Sequence, residues 1–212
     1  MARPKEFDQH KALRQAVRLF SRQGFAATST DELMQAMGIG RQSMYATFGD
    51  KRALFMKALE HYVTESCNAI LAELQKQGPP LQVISNALLS FAERKDMSSE
   101  EGCMGLNALS EFGQRDAEVT QTIRADHSQR ETVIRLLKAA QERGELQANE
   151  VIAAADFFDS TLAGIRMAAK AGKSRKALRE MAAFAAKALT IGVGKAVPDL
   201  DRQSTPRVRR RT

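Results

Sequence analysis

TSTDELMQAMGIGRQSMYATFGDK, residues 28–51, reads as two short helices joined by a glycine turn and followed by a lysine. Ser29 with Glu32 three positions on forms a capping box, in which the hydroxyl accepts from an early backbone amide and the carboxylate reaches back to the cap's own amide. A helix therefore starts at Ser29. Leu33, Ala36 and Met37 give it a short apolar face, Gly38 supplies a tight turn, and Ile39 is the apolar residue that plugs it. From Gly40 a further helix runs to about Phe48, with Met44 and Phe48 on one side and Arg41, Gln42, Tyr45 and Ala46 largely away from them. This is the layout of a helix-turn-helix DNA reader.

Outward from that segment the chain carries helix signals and almost no strand signals. Residues 5–22 place Leu13, Ala16, Val17 and Phe20 at helical spacing, and Gly24 follows where a helix end accepts a left-handed residue. Residues 51–76 form the longest early pattern, which Gly78, Pro79 and Pro80 stop; it predicts a helix linking head to body. Further helices are expected over residues 81–94, over 103–112 closed by Gly113, and as one long element over 116–143 ended by Gly144. Asn149 is expected to cap a helix to Ala171, and Ser174 another to about Val193, both rich in alanine. The fold class is all-α: a three-helix head in residues 1–50, a helical body in residues 51–194, and a basic tail in residues 195–212 that reads as disordered.

Composition narrows the function classes. With 212 residues and 43% hydrophobic content, the chain can bury more core than a lone helix-turn-helix unit needs, so most of it serves another task. No run approaches the roughly 18 apolar residues of a membrane span, and the N-terminus has no signal-peptide core. A cytoplasmic protein is expected. Two cysteines, Cys67 and Cys103, and three scattered histidines offer neither a disulfide framework nor metal-ligand spacing, so neither metal nor cofactor is expected. The net charge of +7 is uneven: residues 1–60 hold ten Lys/Arg against six Asp/Glu, and residues 195–212 hold six against two. Basic ends around a nearly neutral middle fit contact with phosphates, although solvated surface charge would give the same count.

The first sixty residues resemble the TetR family of bacterial transcription regulators. The likeness lies in Gly24-Phe25, Thr28-Ser29, Leu33, Met37-Gly38-Ile39, Tyr45, Phe48, Lys51 and Leu54, in that order and spacing. It implies an all-helical chain of about nine helices, a DNA head on a ligand-receiving body, and a homodimer formed by the last two helices, residues 149–171 and 174–193. Two residues depart from the family's pattern: Gly40 stands where a Ser or Thr commonly caps the recognition helix, and Gln42 where a small residue is frequent. A glutamine amide pairs with an adenine edge and an arginine with guanine, so Arg41, Gln42 and Ser43 are expected at base edges. Thr28, Ser29, Tyr45, Thr47 and Lys51 are expected at phosphates of a double-stranded, palindromic operator.

For the signal, the segment GCMGLNALSEFG, residues 102–113, stands out. Cys103 follows a glycine at a helix start, where free amides and the helix dipole favour thiolate, and the segment resembles the Gly-Cys element of family members that answer electrophiles and oxidants. The plain alternative is a small apolar core side chain. A noncovalent effector is the competing signal, with Phe112 and Phe158 among apolar lining residues and Asn107, Glu111 or Arg166 as polar anchors. Repression is the expected mode, relieved by a small molecule or by modification of Cys103. An enzyme is not expected, because Cys103, His127, Asp116 and Glu118 belong to no catalytic motif. A nucleic-acid-binding structural protein without sequence preference is the remaining alternative, suggested by the run Arg209, Arg210, Arg211.

Overall fold

A computed structural model describes residues 7–95, 102–124, 128–146 and 150–191. These hold ten α-helices and, among the described residues, no strand. Helix α1 (Gln9–Ala27) starts at Asp8, whose carboxylate accepts the Lys11 amide at 3.0 Å, and is interrupted at Gly24, where φ is 82°. Next come α2 (Thr30–Met37), α3 (Arg41–Phe48) and α4 (Lys51–Leu74). Gly38 between α2 and α3 has φ 67° and ψ 33°, a left-handed turn that a side chain would resist. Helix α5 (Pro80–Ala92) begins with proline at its first position, where the missing amide costs nothing.

Beyond α5 lie α6 (Met104–Phe112), a single 3-10 turn at Gly113–Arg115, α7 (Ala117–Arg124), α8 (Ser128–Glu142), α9 (Val151–Lys170) and α10 (Arg175–Ile191). The long helix expected over residues 116–143 is thus two helices, which brings the total to ten. The reason is packing: Val119 and Ile123 of α7 belong to the head's core, whereas Val133, Leu137 and Ala140 of α8 belong to the body's. Ser174 caps α10 as expected, its hydroxyl accepting the Ala177 amide at 3.2 Å. Asn149, the expected cap of α9, lies outside the described residues, as do residues 192–212 with the tail; Glu150 holds the cap position of α9 and makes no side-chain cap bond to the helix.

Two apolar clusters result. The head cluster is built on Ala16 and Phe20 of α1, Leu33 of α2, Met44 and Phe48 of α3, and Leu54, Phe55 and Leu59 of α4, and it is completed by Met104, Ala108 and Val119 from α6 and α7. The body cluster joins Ile70 and Leu74 at the far end of α4 to α5, α8, α9 and α10. One helix therefore spans both cores, and α6 closes the head from the body side. No helix among the described residues is long and apolar enough to cross a membrane.

Candidate nucleic-acid interface and sensor cavity

The recognition surface follows from which side of α3 is buried. Met44 is fully buried and Phe48 nearly so, which turns Arg41, Gln42 and Tyr45 outward, with Tyr45 47% exposed. Ser43 and Thr47 are half-buried. Gly40 caps α3 with no side-chain bond, which leaves the first amides of the helix without a side-chain acceptor. Arg41 rests in an exposed ion pair with Asp31 of α2 at 2.9 Å, an interaction weak enough for a phosphate or a base to displace. Lys51 begins α4, its ammonium 4.3 Å from the centroid of the Phe25 ring.

The start of α2 is less available than the sequence suggests. Both arms of the capping box are present: Ser29 Oγ accepts the Glu32 amide at 3.2 Å, and Glu32 Oε2 accepts the Ser29 amide at 2.8 Å. The same carboxylate accepts a hydrogen bond from the Ser29 hydroxyl at 2.7 Å, and these bonds hold it below the usual carboxylate range, backbone bond first. Ser29 remains exposed, but Thr28 is 1% exposed and donates its hydroxyl inward to the Gly24 carbonyl at 2.6 Å. Thr28 therefore fastens the end of α1 and presents no hydroxyl to a phosphate. The sequence signal that separates these neighbours is weak, because Thr and Ser have the same donor chemistry.

In the body, a cavity of about 220 Å³ opens between α4, α6 and α9, walled by Tyr62, Cys67, Phe91, Cys103, Leu162 and Arg166 among others. Cys103 caps α6, its sulfur accepting the Leu106 amide at 3.5 Å and lying 3.2 Å from the Tyr62 hydroxyl. Burial drives the Tyr62 phenol well above its ordinary pKa, which the nearby Arg166 charge only partly offsets. It stays protonated and can donate to the sulfur. The Arg166 guanidinium lies over two rings, 5.7 Å from the Tyr62 centroid and 5.1 Å from that of Phe91. The wall is thus apolar with one polar corner of thiol, phenol and guanidinium.

Of the six residues expected to sense an effector, only Cys103 and Arg166 line this cavity. Phe158 is fully buried in the body core, and Phe112 packs at a tilt against Phe25 and Phe55, each 5.4 Å away. Asn107 and Glu111 do something else. The two Glu111 oxygens accept the Phe25 and Ala26 amides at 2.8 and 2.7 Å, just past the break at Gly24. The Asn107 amide donates to the Ser21 carbonyl at 2.8 Å, while its oxygen accepts from Lys170 at the end of α9. Arg52 of α4 adds ion pairs to Asp116 and Glu118, each at 2.8 Å. These residues sew α6 and α7 to the DNA head. Tyr62 and Cys67 are among the cavity residues that the sequence did not single out as a site, since a Tyr and a Cys on the apolar face of a long helix read as core.

Known proteins share this architecture. Residues 12–58 match the family described as bacterial regulatory proteins, tetR family, and residues 79–185 match the tetracyclin repressor-like C-terminal domain. Similar proteins include the HTH-type transcriptional repressor ComR of Escherichia coli (strain K12), 28% identical over 186 residues, covering 85% of this chain and 88% of ComR. The HTH-type transcriptional repressor BdcR of the same strain is 29% identical, covering 88% of this chain and 91% of its own. Among solved structures, a cysteine variant of the TetR family transcriptional regulator CifR, complexed with 26-base-pair operator DNA, superposes with a TM-score of 0.71 at 29% identity, over 88% of this chain and 99% of that one.

Proposed function

The chain belongs to the tetR family of bacterial regulatory proteins, and on that premise we propose that it is a dimeric repressor released by a compound entering the cavity between α4, α6 and α9. It is a DNA-binding transcription regulator and not an enzyme. The observation that carries the DNA-reading assignment is the inward packing of Met44 and Phe48, which leaves Arg41 and Gln42 free to reach into a major groove. Arg41, Gln42 and Ser43 read base edges; Ser29, Tyr45, Thr47 and Lys51 hold phosphates. Residues 1–50, with Lys51 at the start of α4, supply this contact, and residues 51–194 the signal and the dimer.

One short helix is too little to specify a genomic site, so a second copy places its own α3 one helical turn away, roughly 34 Å along a palindrome. The surface for that second copy is the outer side of α9 and α10. Phe184 is 76% exposed, Ile152 56% and Met167 50%, an apolar display that a lone chain would leave in water. As a regulator of DNA without a membrane-crossing helix among its described residues, the protein acts in the cytoplasm.

Release is set at Cys103. Its sulfur stands at the polar corner of the cavity and caps α6, the helix whose Asn107 and Glu111 hold the head. A group added to that sulfur displaces the cap and shifts α6, and a noncovalent effector filling the same apolar wall acts on the same helix. A bias of about 1 to 3 kcal/mol between the two head arrangements is enough to change operator occupancy appreciably. The test is operator binding, on a site obtained by selection from random duplexes, before and after N-ethylmaleimide. Wild type is expected to release DNA and Cys103→Ser to retain it, with Cys67→Ser behaving as wild type. Undiminished release from Cys103→Ser would remove the thiol from the mechanism.

A further inference from the structure

A second cavity, of about 340 Å³, lies where head and body meet, and its chemistry differs from that of the first. Arg14 and Arg18 enter it from α1, Arg94 and Lys95 from the end of α5, and Arg166 from α9. Among the described residues that line it, the carboxylate is that of Glu65, which stands 3.6 Å from His61 on the same helix. Among the described residues no ion pair engages Arg14, Arg18 or Lys95, whereas Arg41, Arg52, Arg130 and Arg179 each find a carboxylate. Ser21, Ser66 and Tyr62 add hydroxyls to the same wall. Like charges gathered around one space repel one another, and the repulsion is relieved when an anion enters.

We propose that this cavity binds a small polyvalent oxyanion, of the class carrying two or more phosphate or carboxylate groups. Guanidinium groups present paired donors that match such oxygens, and cations arriving from three helices suit a ligand with more than one charged end. The site is separate from the thiol cavity but shares Tyr62, Ser66 and Arg166 with it as a common wall. An anion seated here ties α1 of the head to α5 and α9 of the body, whereas the apolar cavity has no lining residue from α1.

Inorganic pyrophosphate is the probe, titrated calorimetrically into the full chain without DNA, against sodium chloride of matched ionic strength. Wild type is expected to bind pyrophosphate, Arg14→Gln/Arg18→Gln to bind at least about tenfold more weakly, and Lys95→Gln several-fold more weakly. Arg41→Gln/Lys51→Gln, on the DNA surface, is expected to bind as wild type. Failure of wild type to bind beyond the chloride control overturns the site. So does loss of binding in the Arg41/Lys51 variant with none in the Arg14/Arg18 variant.

Discussion

The outer face of α3 and the seam where α6 meets α1 are both polar, and both carry side chains that the sequence singles out for function. They differ in what those side chains already touch. On α3, Gln42 is exposed and Arg41 has one exposed partner, Asp31. At the seam, Glu111 and Asn107 are held by backbone groups 85 to 87 positions away along the chain. A polar residue with nothing to satisfy it is available to a ligand, and one with buried backbone partners is a structural joint. Residue type alone does not separate the two.

The sharpest way to break the seam is at Gly102. Its φ is +66°, and a Cβ there would sit 1.9 Å from the Ser21 carbonyl oxygen, backbone against backbone. Neither atom can step aside as a flexible side chain could. Gly102→Ala is therefore expected to destabilise by on the order of 3 kcal/mol or more, through strain and through separation of α1 from α6. Urea denaturation measures this, and a variant as stable as wild type would show that α6 does not sit against α1 as described.

Glu111→Ala attacks the same joint more gently. The carboxylate accepts two backbone amides from a half-buried position, and their loss is expected to cost about 2 kcal/mol, less where water re-solvates them. Glu111→Gln keeps one acceptor oxygen and is expected to lose about half as much. Hydrogen exchange at the Phe25 and Ala26 amides is the direct reading: faster exchange confined to those positions marks Glu111 as their partner, and unchanged exchange refutes it.

On α3 the expected effect falls on specificity and not on stability. Gln42→Ala is expected to relax preference at one base position by about 1 to 3 kcal/mol, whereas Lys51→Ala weakens all duplexes alike and lowers the salt dependence. Both variants should unfold close to the wild-type midpoint, because Gln42 is exposed and contributes nothing to the head's core. Selection from random duplexes checks the first; if the Gln42 variant keeps the full wild-type preference, the base contact lies elsewhere.

How far the sequence was legible follows the same division. The capping box, the left-handed turn at Gly38 and the inward pair Met44 and Phe48 are local patterns, spanning five residues or fewer, and all were readable. That α7 and α8 serve different cores was not, since apolar periodicity runs on through both while the cluster they join changes from head to body. Asn107 and Glu111 read as anchors for an effector because their partners, the ends of α1, are remote in sequence. Cys103 and Arg166 were found by chemistry, and only the fold could put Tyr62 and Cys67 beside them.

The smallest expected effect concerns acid, and it tests whether the seam's charges matter at all. Asp116 lies beyond the 3-10 turn, caps α7 through the Val119 amide at 3.1 Å, and pairs with Arg52 at 2.8 Å. The Arg52 bond first, and the backbone bond second, hold its carboxyl below the usual range. A carboxyl with a lowered folded pKa stabilises above its unfolded value, near 3.9, and that stabilisation is lost as pH falls through the lower folded value. Asp116→Asn retains a cap acceptor and removes only the charge, so its melting temperature is expected to fall slightly below wild type at pH 7. The difference should shrink below about pH 4 and vanish once wild-type Asp116 is itself protonated. Arg52 keeps Glu118 at 2.8 Å in the variant, which limits the loss. A difference that persists unchanged in acid would assign the effect of Asp116 to the shape of its cap and not to its ion pair, leaving the Glu111 bonds as the seam's main polar hold on the head.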